Sequence, residues 1–283
     1  MFGDDIQNLA VRRILVALDT MTESFRTLEA AADLAAILGT ELVGLYIEDP
    51  ALLKLEELQP SRKIELPQGL SGGIEKGSLQ RELRASARHA QDVLARAAEH
   101  RRVEWNFEVV RGSVDSELAT AAVEGDLLVV ESRSGALESE IRRAPTAEAA
   151  VHEMPQSVLY LQHREGPTQS IVAVYDDTPQ ADAALNAALQ LHGGPLSLLT
   201  VLLPTSSREV GAEWQQRAEQ QMTHLGAPAH FRRVAPDDLE WLSRAVGNIH
   251  GDILIQSAES PFLREHSPGE VLDELDCPVL LVR

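Results

Sequence analysis

Apolar residues in this chain come in short unbroken runs, each closed by an acid or by turn formers, with helical patterns between them. The run Ile14-Leu15-Val16-Ala17-Leu18 ends in Asp19 and is followed by Thr20-Met21-Thr22-Glu23-Ser24. An apolar run without alternation predicts a strand buried on both faces, as in a parallel sheet. Such sheets place ligands at the carboxyl ends of their strands, so Asp19 stands where a ligand would be met. Ile171-Val172-Ala173-Val174-Tyr175-Asp176-Asp177 repeats the phrase.

The elements after each copy repeat too. Beyond the first, Leu28, Ala31, Ala32, Ala35 and Leu38 recur at helical steps. They predict a helix over residues 23–38, capped by Thr20 or Thr22 and stopped by Gly39. Residues 41–47 form the second strand, and the strand, helix and parallel strand imply a right-handed crossover. Residues 78–99 read as a helix burying Leu79, Leu83, Ala87, Ala90, Val93 and Leu94, with Arg81, Arg84, Arg88 and Arg96 on its solvated face. Residues 105–110 alternate as a half-buried edge strand, a helix spans 114–124, and 127–130 and 157–161 are further strands. A polar, helix-compatible span runs through 147–152. In the second half, Thr178 or Asp177 caps a helix over 179–191 with Pro179 early in it. Strands at 196–203, 229–234, 252–256 and 279–282 alternate there with helices over 209–225 and from Asp237 to about 246.

This pattern predicts two α/β domains, residues 1–165 and 166–283, with Arg164-Glu165-Gly166-Pro167 as the linker. The first carries a long insertion at about 50–77, where Leu52-Leu53-Lys54-Leu55-Glu56-Glu57-Leu58 fits a helical turn or two before several glycines. That is too long for an ordinary connection and suits a lid, a partner-binding arm or an irregular excursion. The second domain has no counterpart and is shorter.

Charge narrows the partners. Twenty-five Lys and Arg against 44 Asp and Glu leave a net charge of -19 over 283 residues. That surface repels phosphate backbones and argues against nucleic acid. No apolar run reaches a membrane span and no leader pattern opens the chain, so a cytoplasmic protein is expected. The single cysteine, Cys277, sits in an apolar run and reads as a buried thiol. The nine histidines fall into no metal-ligand spacing, and neither a nucleophile elbow nor a P-loop is present. These features predict a non-enzymatic protein with no metal.

Taken in order, Asp19, Gly39-Thr40-Glu41-Leu42, Arg111-Gly112-Ser113, Gly125-Asp126-Leu127-Leu128-Val129-Val130, Gly251-Asp252-Ile253-Leu254-Ile255 and Cys277-Pro278-Val279-Leu280-Leu281-Val282 resemble the universal stress protein family in its tandem form. The resemblance implies two doubly wound domains of the adenine nucleotide alpha hydrolase-like type. Each would hold five parallel strands in order 3-2-1-4-5, packed as an intramolecular pseudo-dimer through their last strands. The nucleotide-binding branch of that family uses an aspartate after the first strand, a residue closing the second, and a G-x-x-G, nine-residue gap, G-(S/T) loop after the fourth. Carried onto the first half, these positions fall on Asp19, Ile47, Glu131, Ser134, Ala144 and Pro145. Glu131 brings a carboxylate where phosphate belongs, the side chains replace glycine's close approach, and Pro145 lacks both hydroxyl and amide. Gly135 and Thr146 lie one residue late and offer a shifted register, and Arg133, Arg142 and Arg143 are available cations. In the second half the loop positions fall on Gln256 and Glu259, with Gly269-Glu270 beyond, and Asp176 or Asp177 follows the first strand.

The sequence supports two functional readings. In the first, the ATP-binding motif is lost in both halves, no cofactor is held, and the protein works in the stress response through protein partners or as a homodimer. In the alternative, the first domain alone senses a small ligand such as ATP or AMP through Asp19, Ile47, Ser134, Gly135 and Thr146. Asp19 itself has an equally good structural use, satisfying the start of the first helix.

Overall fold

The structure is a computed structural model and describes residues 11–18, 25–48, 78–122, 126–131, 156–161, 170–192, 198–223, 228–236, 240–266, 271–272 and 274–283. The insertion at 50–77, the linker, the span 147–152 and the proposed caps Thr20, Thr22 and Asp237 lie outside them. In chain order the first half contains β1 (Arg13–Leu18), α1 (Phe25–Leu38), β2 (Glu41–Glu48), α2 (Ser78–Arg101), β3 (Trp105–Arg111), α3 (Val114–Ala121), β4 (Asp126–Glu131) and β5 (Ser157–Leu161). The second half contains β6 (Ser170–Val174), α4 (Pro179–Leu191), β7 (Leu198–Pro204), α5 (Arg208–Thr223), β8 (Ala229–Val234), α6 (Trp241–Ile249), β9 (Ile253–Ser257), α7 (Pro261–Glu265) and β10 (Val279–Val282).

The strands form one ten-stranded sheet in the order β3-β2-β1-β4-β5-β10-β9-β6-β7-β8. Each half runs third, second, first, fourth and fifth strand from its outer edge inward, and all pairings within a half are parallel. The halves meet where β5 and β10 pair antiparallel, with Leu280 opposite Leu159. That seam makes the sheet continuous.

Both faces of the sheet are covered, which is why the strands are apolar throughout. Ile14, Val16, Ile171 and Ala173 face a layer built by α1, α2, α4 and α5. Leu15, Val172, Leu254 and Leu281 face the opposite layer of α3, α6 and α7. Helices α1 and α4 touch across the seam, and alanines at their buried positions permit the close approach. In α2, Leu83, Ala87, Ala90, Val93 and Leu94 are buried, while Arg81, Arg84, Arg88 and Arg96 are exposed, as the periodicity predicts. Gly39 ends α1 in the left-handed region at φ 64, where glycine carries no Cβ penalty. Cys277 is buried.

Polar clamps tie the amino ends of the inner strands. Arg13 donates from Nε and Nη2 to the Asp126 carboxylate at 3.0 and 2.9 Å, joining β1 to β4. In the second half the Ser170 backbone N–H donates to Asp252 Oδ2 at 2.9 Å, and Asp252 N–H donates to Ser170 O at 2.8 Å. An acid at the start of the fourth strand therefore secures the first strand in both halves. Among the described residues no helix is long and apolar enough to cross a membrane.

The elements differ from their sequence predictions at the ends and in one omission. The pattern gave no helix at 261–265, yet Ser260 caps one there by accepting the Leu263 N–H at 3.3 Å. Helix α6 starts at Trp241 and runs to Ile249, three residues beyond its predicted end, because its turn pivots on His250 in the left-handed region.

Candidate functional site

The carboxyl ends of the strands are the place to look for a ligand. In the first half, register sets Leu18 beside Tyr46, so the candidate Ile47 is one step past the last described residue of β1. Ile47 is only 3% exposed and packs in the layer with α3. Its neighbour Glu48 is also buried and accepts from Arg111 Nε at 2.7 Å. Gly112 N–H donates to Glu48 O at 3.3 Å, and Ser113 caps α3 by accepting the Ser116 N–H. Each residue of Arg111-Gly112-Ser113 thus has a local structural task. Glu48 places a carboxylate at this end of the sheet, where it closes β2. Asp19, Ser134, Gly135 and Thr146 lie outside the described residues, as do Ala144, Pro145 and the arginines 133, 142 and 143.

The second half can be followed atom by atom. Register pairs Ile14 with Leu127 and Ile171 with Ile253, so Glu131 corresponds to Ser257. The two loop positions therefore fall on Ser257 and Ser260, one residue beyond the Gln256 and Glu259 expected from sequence. The shared Asp126 and Asp252 before each fourth strand carry this alignment. A phosphate loop works by presenting free amides, and here the amides are engaged. Glu259 N–H donates to Ser257 Oγ at 3.0 Å. Ser260 N–H donates to Ser257 O at 3.2 Å. Leu263 N–H goes to the Ser260 hydroxyl, and Pro261 has no N–H to give. The turn satisfies itself.

The acids after β6 are occupied as well. Asp176 Oδ1 accepts the Thr178 hydroxyl at 2.7 Å and its N–H at 3.3 Å. Thr178 in turn caps α4, its Oγ1 accepting the Ala181 N–H at 3.1 Å. Asp177 sits in the left-handed region at φ 62 and is ion-paired with Arg217 of α5. Tyr175 OH donates to Asp182 Oδ1 at 3.0 Å and lies 3.5 Å from Asp177 Oδ1. Gln221 completes the group, its Nε2 donating to Asp182 O at 3.0 Å and to Asn186 Oδ1 at 2.9 Å. Pro204 occupies the β7 position that matches Ile47 in β2, since Leu42 pairs with Ile14 as Leu199 pairs with Ile171.

Burial raises the Asp182 pKa and the nearby Asp177 charge adds to the rise; the Tyr175 hydrogen bond and Arg217 oppose it. Burial beside these two carboxylates also pushes the Tyr175 phenol up. A carboxyl whose folded pKa is raised favours folding at low pH, and that contribution is lost as pH rises through the folded value. The Asp182→Asn protein is therefore expected to melt higher than the parent near neutral pH. The difference should shrink as both are acidified through the carboxylate range, as thermal melts across pH would show.

Among the described residues no group of three or more His, Cys, Asp or Glu is placed to hold a metal ion. Chemically, among the described residues the turns after β6 and β9 are held by their own hydrogen bonds, and the end of β2 carries a buried, arginine-paired acid.

This architecture, parallel strands in 3-2-1-4-5 order within each half with helices on both faces, defines a doubly wound α/β protein. The universal stress protein family matches residues 10–162, more than half of the chain, and the chain belongs to that family. Membership supports a role in the stress response. A universal stress protein from Archaeoglobus fulgidus is similar over 98% of this chain and 97% of its own, with a TM-score of 0.73 at 14% identity. A functionally unknown protein from Pseudomonas aeruginosa is similar over 97% of this chain and 93% of its own, with a TM-score of 0.60 at 15% identity. At these identities the likeness is one of fold. No curated protein sequence matches the chain.

Proposed function

We propose that the protein is a non-enzymatic, cytoplasmic stress-response protein that has lost nucleotide control and acts through protein contacts. In this reading two universal-stress-type domains, 1–165 and 166–283, form an intramolecular pseudo-dimer through β5 and β10, and the whole associates with a protein partner or a second copy. The observation that carries the reading is the turn after β9. Its amides are engaged by Ser257 and Ser260, while Asp176 is bound to Thr178. A nucleotide there would have to break these bonds before making its own.

One observation favours the alternative, an adenine-nucleotide sensor in the first half built on Asp19, Ile47, Ser134, Gly135 and Thr146. The β1–β2 register brings the end of β1 beside Ile47, the juxtaposition a base-binding crevice requires. Full-length protein purified without added nucleotide separates the two. Its denatured supernatant should contain no adenine nucleotide, and titration calorimetry with ATP and AMP should give no binding heat. Saturable heat that disappears on Asp19→Ala would replace the first reading with the sensor.

A further inference from the structure

The layer under α6 and α7 contains three buried polar groups that nothing among the described residues satisfies. Trp241 Nε1, Gln256 Nε2 and Gln156 Oε1 have no hydrogen-bond partner there, although Trp241 and Gln256 are each only 1% exposed and Gln156 only 5%. An orphaned buried donor or acceptor costs about 1–3 kcal/mol, so three in one layer require a physical reason.

Topology sets the three at one end of the sheet. Gln256 follows Leu254 by two residues in β9, so its side chain shares the face that Leu254 packs toward α6 and α7. Register sets Gln256 beside Leu281, and Leu281 beside Val158. Gln156 lies two residues before Val158, just ahead of β5. Two strand spacings across and two residues along put the Cα atoms of Gln156 and Gln256 about 12 Å apart, a gap that two glutamine side chains and one small molecule would span. Trp241 opens α6, which returns from β8 to β9 and so begins at this same carboxyl end. Its ring meets Phe262 edge-on at 5.4 Å, and Phe262 lies 4.9 Å from His266, an aromatic line from the buried indole to the half-exposed imidazole.

We propose that this region of the seam binds a small neutral carboxamide on a planar apolar body. The amide oxygen accepts from Trp241 Nε1 and Gln256 Nε2, the amide N–H donates to Gln156, and the planar body lies along Phe262. A carboxamide offers both functions, an acceptor for the two donors and a donor for the Gln156 carbonyl. A carboxylate fits less well. It would bring a full charge against Trp241, Leu254 and Leu281, where the three groups awaiting it are uncharged. The site is on the opposite face of the sheet from Tyr175 and α4, and it does not depend on either reading of the first half.

The experiment is an amide-detected NMR titration of the ¹⁵N-labelled full chain with benzamide, with benzoate as the charged counterpart. The chain has three tryptophans, and Trp241→Phe assigns the indole signal. Benzamide should move the Trp241 indole and Gln256 amide signals saturably, leaving the indoles of Trp105 and Trp214 in place, and benzoate should move none. Gln256→Met and Gln156→Met should each weaken benzamide binding about tenfold, two variants so that one misfolded protein does not void the test. A Trp241 signal that benzamide leaves unmoved would overturn the proposal. So would cross-relaxation of that signal with a long-lived internal water that benzamide does not displace, since water alone would then account for the three groups.

Discussion

Replacing Arg13 with alanine is expected to destabilise the protein by about 3–5 kcal/mol, read as a fall in the midpoint of urea unfolding. The Asp126 side chain is 0% exposed, and Arg13 is 26% exposed, so the substitution takes the guanidinium away from a buried carboxylate. Arg13 also donates from Nη2 to Ala121 O at 2.7 Å, which ties the end of α3 to the same clamp. The hydrogen bond to Asp126 raises the Arg13 pKa further, against the opposing effect of burial, so the guanidinium stays charged. Lysine at position 13 restores the charge but not the fork, and should recover only part of the loss. The double variant Arg13→Met with Asp126→Leu should lie much closer to the parent than Arg13→Ala does, because an apolar pair of similar size avoids the desolvation of both charges. If that double variant is as unstable as the single one, the clamp acts through geometry and not through an uncompensated charge.

That clamp shows where sequence reading stops. Asp126 is easily identified as the residue before an apolar run, but its partner is 113 positions away, and no periodicity links the two. The strands themselves are legible because burial on both faces leaves only apolar residues, and the helices because small and large apolar positions recur at steps of three and four. The edge strand β3 is legible for the opposite reason, its burial alternating from Trp105 to Glu108 before exposed Val109 breaks the period. Helix α7 is not: five residues make too little of a turn for a period, and its start depends on a serine that reads equally well as loop.

The same limit divides the site. Asp176 has two readings in sequence, ligand group or cap, and the structure gives the second, through Thr178. The self-satisfied turn after β9 is invisible without register, since Ser257 and Ser260 become loop residues only once Ile253 is aligned with Leu127. A signal for that alignment was present in Asp126 and Asp252. The group of Tyr175, Asp177, Asp182 and Arg217 had none, because Arg217 belongs to the second helix of that half and reaches Asp177 across 40 positions.

The seam supports the other large effect: Leu280→Asp is expected to destabilise the fold by more than about 4 kcal/mol. Leu280 is fully buried, lies opposite Leu159 of β5 and pairs with Ile255 of β9. A carboxylate there would meet Ile255, Val282 and Leu159 in the apolar layer with α1 and α4, an uncompensated buried charge. The effect would spread beyond one residue. Strand β10 has four residues, all of them buried, and it is the only described strand of its half that pairs with the other. Losing it would bare the inner edges of β5 and β9, apolar edges of the kind that pair with other chains. The expected result is therefore aggregation together with a lowered melting temperature, seen in calorimetry and light scattering. Leu198→Asp is the matching control, because Leu198 is 58% exposed at the start of β7 and its substitution should change the melt little. Equal losses from the two variants would mean that the seam has no special place in the stability of the sheet.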